Sequence, residues 1–322
     1  MSWFFFSLIC LLGWGCADLF YKKGTDEGDP CSHLKIAVWV GLVMGVCAFC
    51  LLPFSETLSH GGFRQLLDAA VRYSPASLCY IVSMVIGYAG LRYLELSIVS
   101  PVQNASGAFS ALIMFMWFTM TGRIASLSEE FNTADVIGTI LIVVGVVMLA
   151  IVEQRLANAG EGMPAEDRKY RHGALALLFP ILYCLFDTAG TAADGVILTE
   201  GSATALGELD VLVLYGLTFL LAGLIAWLWL LIRNRQPYNP FRRSERPKAI
   251  AAVCEEFGQV FYVFAMASKP MLAAPMVASY CIVSILLSRI FADEKLEKMQ
   301  YACIIPVLAG IVILGISEGL SA

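Results

Sequence analysis

The sequence has little charge for its length. Charged residues make up 15% of the 322 positions and hydrophobic residues 59%, and the mean hydropathy is +0.75. Soluble domains carry about 25% charged residues. The few charges lie between long apolar runs instead of being spread evenly along the chain. This pattern argues against a soluble domain and indicates a polytopic membrane protein.

Several chemical motifs are missing as well. His33, His60 and His172 all lie between the apolar runs, so no histidine triad or histidine metal site can form at membrane depth. A G-x-x-x-x-G-K-[ST] motif is absent, which excludes a P-loop and nucleotide-driven transport. Most of the ten cysteines lie inside the apolar runs, where a thiol is an ordinary small apolar group. We therefore expect no disulfide, metal or cofactor.

Ten apolar runs are long enough to cross a bilayer, which takes about 20 residues per helix. Strand-like alternation is absent from them, which argues against a β-barrel and predicts an all-α membrane protein. The first run lacks the basic start and cleavage site of a signal peptide, so we expect it to be retained. The runs are residues 3–21, 34–53, 75–94, 97–119, 134–152, 173–193, 209–232, 249–267, 271–291 and 300–317.

The distribution of Lys and Arg predicts the orientation. Seventeen of the 21 lie in or beside loops that follow odd-numbered runs, with RNRQPYNPFRRSERPK after the seventh run as the largest group. Positive residues favour the cytoplasmic side. Both termini are therefore predicted to lie outside the cytoplasm. The membrane itself is predicted to be the plasma membrane of a bacterium, which is its inner membrane. The segment FRQLLDAAVRY, residues 63–73, is weakly amphipathic and is predicted to lie along the membrane interface.

The chain is predicted to contain two five-helix repeats, residues 1–152 and 173–322, joined by a polar linker loop at 153–172. An odd number of spans reverses the second copy, so the repeats would have inverted topology and a site at their interface. Pro101 corresponds to Pro275, and Tyr88 to Tyr262. Acidic turns that contain Glu129 and Glu294 each precede the last run of a half.

The clearest correspondence lies in the first and sixth runs. Trp14 and Asp18 recur 169 positions later as Tyr183 and Asp187, so each run carries aromatic-x-x-x-Asp. Residues four apart share one face of a helix. Both runs are therefore predicted to present an aromatic ring and a carboxyl group on the same face.

The chain has ten predicted spans in two halves, and its first run ends with GWGCADLFYKKG. The halves end with SLSEEFNTADVIGTILIVVGVVML and DEKLEKMQYACIIPVLAGIVILG. In these features the chain resembles the EamA-like branch of the drug/metabolite transporter superfamily. The resemblance extends over nearly the whole chain. It implies a central cavity lined by both halves and operated by alternating access. Several members of that superfamily keep their termini in the cytoplasm, whereas the charges here favour termini outside.

Carboxyl groups within the runs are candidate functional groups. An Asp at the centre of a spanning helix costs roughly 2.5 to 3.5 kcal/mol on insertion scales, so it is retained where it meets water, a partner or a substrate. Asp18 either faces a cavity or pairs with Lys22, four residues away. Asp187 and Asp194 have no basic residue within reach along their own run, which favours a cavity role.

Glu255 and Glu256 lie seven or eight residues inside the basic start of the eighth run, roughly 10 to 12 Å deep. Two adjacent charges there would be very costly, so we expect at least one of the acids to be protonated at neutral pH. A buried acid that can gain and lose a proton is suited to proton coupling. The alternative for either residue is a hydrogen bond that only packs neighbouring helices.

Polar and aromatic residues on the same runs could complete a site. Trp14, Tyr88, Tyr183 and Tyr262 could surround a flat or cationic substrate, although aromatic rings in membrane helices commonly serve packing. Asn104 lies on a face with small residues that could equally be a helix-packing surface. The substrate-binding or proton-binding candidates are Trp14, Asp18, Tyr88, Asn104, Tyr183, Asp187, Asp194, Glu255, Glu256, Gln259 and Tyr262.

The acids predict a secondary transporter for a small organic metabolite or drug, coupled to a proton or another cation. An excess of acids over bases at membrane depth favours a cationic or zwitterionic substrate. The alternatives are an integral membrane enzyme that uses paired carboxylates on a lipid-linked substrate, and a non-catalytic scramblase or assembly partner. The expected partners are the substrate, the coupling ion and the lipid bilayer, and no nucleic acid.

Overall fold

The structure is a computed structural model that describes residues 2–26, 28–55, 58–59, 61–94, 96–124, 131–159, 174–235, 237–291 and 297–321. Within these ranges the chain is helical and contains no strand, which agrees with the all-α prediction. The α-helices are α1 (Trp3–Gly24), α2 (Ser32–Leu51), α3 (Gly62–Gly90), α4 (Leu96–Asn104), α5 (Ser106–Met120), α6 (Thr133–Ala159), α7 (Leu178–Leu198), α8 (Glu208–Asn234), α9 (Arg246–Ser268), α10 (Pro270–Ala278), α11 (Tyr280–Phe291) and α12 (Lys298–Ser321).

Nine candidate membrane spans occur in the described part of the chain, and all ten predicted runs lie on helices. Eight spans contain α1, α2, α3, α6, α7, α8, α9 or α12, and the ninth joins α10 with α11. The fourth predicted run, residues 97–119, falls on α4 and α5, which are interrupted at Ala105. It is therefore two consecutive helices of 9 and 15 residues instead of one long helix.

Two helix interruptions follow buried prolines. Pro101 lies four residues before the interruption at Ala105, and Pro275 lies four residues before the interruption at Ser279. Proline removes one backbone donor and pushes against the preceding turn. The backbone N–H of Ala105 donates to the Pro101 carbonyl at 3.2 Å, and the Ser279 hydroxyl donates to the Met276 carbonyl at 2.5 Å. These two hydrogen bonds lie directly at the interruptions.

The segment 63–73, which the sequence predicts to lie along the membrane interface, is part of a longer helix. It forms the first turns of α3 and continues into the third apolar run without interruption. Pro75 lies inside this helix, where its ring nitrogen cannot bond the Val71 carbonyl. The Ser74 hydroxyl donates to that carbonyl at 2.8 Å. A side chain therefore satisfies the acceptor that proline leaves free.

Helices from the two halves of the chain pack in pairs. Helix α1 packs against α9, α3 against α7, α2 against α8, and α6 against α12. Glycines allow two of these contacts to be close: a Cβ on Gly41 would lie 2.9 Å from Cα of Gly223, and one on Gly138 would lie 3.0 Å from the Gly310 carbonyl oxygen. Small residues bring membrane helices into close van der Waals contact. The core is consequently shared between both halves.

Polar side chains connect helix ends around this core. At the start of α6, Asn132 and Asp135 bond each other's backbone N–H groups and also contact Ser317 of α12. At the start of α9, Lys248 forms a 2.7 Å salt bridge with Glu245, and both side chains are less than one-tenth exposed. The Tyr238 hydroxyl donates to the same Glu245 carboxylate at 2.8 Å.

Parts of the predicted duplication lie outside the described residues. Residues 153–159 of the predicted linker loop belong to α6, which extends to Ala159, and residues 160–172 lie outside the description. Glu129 and Glu294, the acids of the two corresponding turns, also lie outside it. The two predicted repeats can therefore be compared through their described helices, and not through these turns.

Candidate functional site

A central cavity lies between helices from both halves. Its volume is about 60 Å³, which is room for a few water molecules. No Lys, Arg or His is among the described residues that line it. The lining residues are Trp14, Asp18, Tyr21, Tyr80, Met84, Gly87, Tyr88, Leu91, Gln103, Asn104, Ser106, Gly107, Tyr183, Asp187, Thr191, Tyr215, Glu255, Gln259, Tyr262, Ala274, Val277, Ala278 and Tyr280.

Nine of the eleven residues proposed from the sequence line this cavity. They come from α1, α3, α4, α7 and α9, which the chain order separates widely. Glu256 and Asp194 do not line it. The nine are Trp14, Asp18, Tyr88, Asn104, Tyr183, Asp187, Glu255, Gln259 and Tyr262.

The Asp18 carboxyl group is held by two serines. Its Oδ2 accepts hydrogen bonds of 2.7 Å from both Ser100 of α4 and Ser284 of α11. Lys22 points elsewhere and donates to the carbonyls of Leu91 and Leu94 at 2.9 Å each. Of the two interpretations of Asp18 from the sequence, the geometry favours the one in which it faces the cavity over the one in which it pairs with Lys22.

Asp187, which also lines the cavity, has a related environment. Its Oδ2 accepts a 2.6 Å hydrogen bond from Ser106, the first residue of α5. Both acids are thus bonded by a serine of the α4–α5 pair, and Asp18 is bonded in addition by Ser284 of the α10–α11 pair. A hydroxyl donor stabilises a buried carboxyl group without neutralising it.

Glu255 differs from these two acids. It is 8% exposed, and among the described residues no side chain donates a hydrogen bond to its carboxyl group. Its backbone carbonyl instead accepts a 3.1 Å bond from Nε1 of Trp14, which fixes α9 against α1. Glu255 therefore lines the cavity with a carboxyl group that accepts no side-chain hydrogen bond in the described part of the chain.

Two cavity amides are unsatisfied in a similar way. Nε2 of Gln103 and Nε2 of Gln259 are buried without a hydrogen-bond partner in the described part of the chain. Gly87 provides the space beside Gln103, because a Cβ there would lie 2.9 Å from Nε2 of Gln103 and 2.6 Å from the Tyr183 ring. The cavity therefore contains a free acid and two amides that a polar ligand or water can bond.

The aromatic residues pack against one another and do not form an open ring of side chains around a substrate-sized space. The Trp14 ring lies 5.1 Å from the Tyr262 ring and 5.6 Å from the Tyr280 ring, measured between centroids. Tyr88 packs at 4.8 Å against Tyr21. Such contacts stabilise the rings themselves. Part of the predicted aromatic surface is thus already occupied by neighbouring rings in this conformation.

Sequence reasoning missed Tyr80 and Tyr215, which both line the cavity and pack edge to face at 5.7 Å. Tyr73, Tyr80 and Tyr88 occur at intervals of seven and eight residues, which places their phenols on one face of α3. That periodicity could have indicated Tyr80. Tyr215 stands alone in an apolar run, and no sequence pattern marks it.

Two proposed residues lie outside the cavity. Glu256 is buried beside Cys47 of α2, and its Oε2 has no hydrogen-bond partner among the described residues. Asp194 is fully buried near the end of α7, where Oδ2 accepts a 3.3 Å hydrogen bond from Tyr80. Of the two adjacent glutamates of α9, Glu255 therefore lines the cavity and Glu256 lies against α2.

Comparison with known proteins supports the fold over the whole chain. A solved crystal structure with 14% sequence identity superposes with a TM-score of 0.54, covering 95% of this chain and 97% of the other. At this identity the likeness concerns the fold alone. No curated protein matches.

The family comparison concerns the second part of the chain. Residues 195–316 match the model of the EamA-like transporter family, whose members are transporters and not enzymes. This segment contains α8 to α11 and most of α12, including Glu255, Gln259 and Tyr262. Its match and the apolar spans together fit a multi-pass membrane protein. Over residues 195–316, the match confirms the resemblance to the EamA-like transporters of the drug/metabolite transporter superfamily.

Proposed function

We propose that this protein is a secondary transporter that carries a small organic cation or zwitterion and couples its movement to a proton or another cation. The observation that supports this proposal best is the composition of the central cavity. Asp18, Asp187 and Glu255 all line it, and no base does so in the described residues. An acidic cavity attracts positive charge, and its tyrosine and tryptophan rings favour cations further.

The three acids have different roles in this proposal. Glu255, to which no side chain among the described residues donates, binds the positive group of the substrate or the coupling proton. Asp18 and Asp187 keep their serine bonds and set the negative potential of the cavity. The amides of Gln103 and Gln259 bond polar groups elsewhere on the substrate.

The size of the cavity supports alternating access as the mechanism in this proposal. Binding sites for small molecules usually measure about 300–1,000 Å³, whereas this cavity has about 60 Å³. A metabolite can enter only if the surrounding helices move apart. The interrupted pairs α4–α5 and α10–α11 border the cavity and are suited to such a movement, since interrupted helices commonly form transporter sites.

We also propose that the halves are inverted repeats of five spans each, with α4–α5 and α10–α11 each counted as one span. Pro101 and Pro275, and likewise the interruptions at Ala105 and Ser279, are 174 positions apart. Exchanging the halves turns the α1–α9 contact into the α7–α3 contact, and both contacts occur. This regular correspondence supports the duplication predicted from Trp14–Asp18 and Tyr183–Asp187.

Transport into proteoliposomes tests the proposal. Labelled choline, glycine betaine and malate serve as a cation, a zwitterion and an anion, each assayed with and without a pH gradient. Choline or betaine should accumulate, and the pH gradient should increase the accumulation, whereas malate should stay at the level of empty vesicles. Movement of malate alone, or of none of the three, would contradict the proposal.

A further inference from the structure

Asp194 lies between the central cavity and one end of the molecule. It follows Asp187 and Thr191 on α7 at spacings that keep all three residues on one face. Seven residues separate the two acids, about 10.5 Å along the helix axis. Asp187 and Thr191 line the cavity, whereas Asp194 does not. Helix α7 ends one turn further on, at Leu198.

A continuous group of hydroxyls joins Asp194 to the cavity. The Tyr80 hydroxyl donates to Oδ2 of Asp194 at 3.3 Å and lies 3.3 Å from Oγ1 of Thr191. It also lies 2.7 Å from the Tyr262 hydroxyl, where either oxygen can be the donor. Tyr80, Thr191 and Tyr262 all line the cavity. The Tyr80 oxygen is therefore the link between the cavity and the buried acid.

The surroundings of Asp194 do not satisfy an ionised carboxylate. Asp194 is fully buried, and no salt bridge of the described residues involves it. Neither its Oδ1 nor the adjacent Tyr73 hydroxyl makes a hydrogen bond of normal geometry there. The titratable groups that face it are Tyr73 and Tyr80 of α3, Tyr215 of α8, Tyr262 of α9 and Asp187 of α7 itself. A buried charge without a cation is costly, so this site favours the protonated acid.

We propose that Asp194 is a proton-carrying site that exchanges its proton with the central cavity through the Tyr80 hydroxyl. The role in transport rests on the proposed proton coupling. Asp194 gives its proton to the Tyr80 oxygen while that hydroxyl passes its own proton to cavity water, either directly or through Tyr262, which accepts the proton from Tyr80 as it releases its own to the water. The reverse step restores the acid. Each step breaks one O–H bond and forms another, so charge and atoms balance.

Infrared spectroscopy of the purified protein in lipid tests this proposal without any substrate. A protonated carboxyl group has a C=O absorption that disappears on ionisation. The wild type should show such a band, and Asp194→Asn should remove it. Raising the pH should abolish the band, because a proton carrier must release its proton. A spectrum that is the same in wild type and Asp194→Asn would overturn the proposal.

Two further variants test the route. Tyr80→Phe keeps the ring but removes the linking hydroxyl, so the Asp194 band should shift in frequency and its response to pH should slow. Asp210→Asn is the matched control. Asp210 is another buried acid, on α8, that Ser55 bonds and that lies outside the cavity. The Asp194 band should survive in this control. An unchanged band in Tyr80→Phe would exclude Tyr80 as the route.

Transport measurements separate this inference from the transporter proposal. Asp194→Asn should lose the stimulation by a pH gradient and retain exchange of labelled choline or betaine at equal pH on both sides. Retained stimulation would overturn the inference while the transporter proposal stands. If the wild type moves no solute, the transporter proposal fails, and the infrared titration still decides whether Asp194 exchanges a proton with the cavity.

Discussion

At the scale of single residues, the two adjacent glutamates of α9 offer the sharpest comparison. Glu255 lines the cavity, whereas Glu256 faces Cys47 of α2. We predict that Glu255→Gln weakens choline binding by about tenfold or more, since a bond to a charged group contributes about 1.5–3 kcal/mol. Glu256→Gln should bind choline like the wild type. Isothermal titration of both variants measures the difference, and equal losses would contradict the assigned roles.

The sequence indicated the site residues better than their contacts. Trp14–Asp18 and Tyr183–Asp187 were recognisable because identical spacing recurs in both halves. The serine bonds on Asp18 were not, because Ser284 lies 266 positions away and only tertiary packing brings it close. Tyr215 was missed for a related reason, since one tyrosine in an apolar run also fits ordinary packing.

At the scale of helices, close glycine contacts between α2 and α8 should be sensitive to added volume. A Cβ on Gly41 would lie 2.4 Å from the Phe219 carbonyl oxygen, so Gly41→Ala forces the helices apart. We expect a loss of about 1–3 kcal/mol in unfolding free energy. Gly319→Ala is the control, because its Cβ would meet nothing within 4 Å. Unfolding in detergent measures both, and equal stabilities would contradict this account.

The buried pair at the start of α9 should show strong coupling. Lys248→Met leaves the buried Glu245 carboxylate without its cation, which we expect to cost about 3–5 kcal/mol. Adding Glu245→Gln removes the unpaired charge and should recover part of that loss. A double-mutant cycle measured by unfolding gives the coupling. Simple additivity of the two changes would show that the pair contributes nothing beyond its separate side chains.

A pH effect is expected in the loop between α1 and α2. Partial burial alone would raise the pKa of Asp29, but hydrogen bonds from Lys35 and from the Cys31 N–H hold this pKa below its usual value. The carboxylate therefore stabilises the fold above the pKa of the unfolded chain, about 3.9. That contribution disappears as the pH falls through the lower, folded pKa.

The variant Asp29→Asn checks this effect. Unfolding midpoints of the wild type and the variant should differ near neutral pH and converge in acid. A constant difference across the acidic range would show that Asp29 acts through some other contact.

Helix positions were more predictable than helix continuity. All ten apolar runs correspond to helices because the length of an apolar segment is itself the signal. The sequence did not predict the interruption at Ala105, although Pro101 precedes it by four residues. A proline alone does not indicate an interruption, since Pro75 and Pro306 both lie inside uninterrupted helices. The local sequence around a proline does not determine which outcome occurs. The hydrogen bonds available around it, such as that from Ser74 to Val71, also contribute.

At the scale of the whole molecule, the distribution of Lys and Arg predicts both termini outside the cytoplasm. An alkaline phosphatase fused after residue 322 should therefore be active, because this enzyme folds only outside the bacterial cytoplasm. A fluorescent protein fused at the same position should stay dark. The opposite result would reverse the orientation and leave the fold unchanged.

The pairing of helices across the halves has a consequence for biosynthesis. Asp18 is made with the first helix, but its partner Ser284 and its neighbour Glu255 are made more than two hundred residues later. During that interval α1 lacks the helix that covers its acidic face. The nascent chain must shelter Asp18 through the insertion machinery, a water-filled defect or protonation. Ribosome stalling before α9 should therefore leave an intermediate prone to degradation, and the cavity is complete only after Tyr280 of α11 has been made.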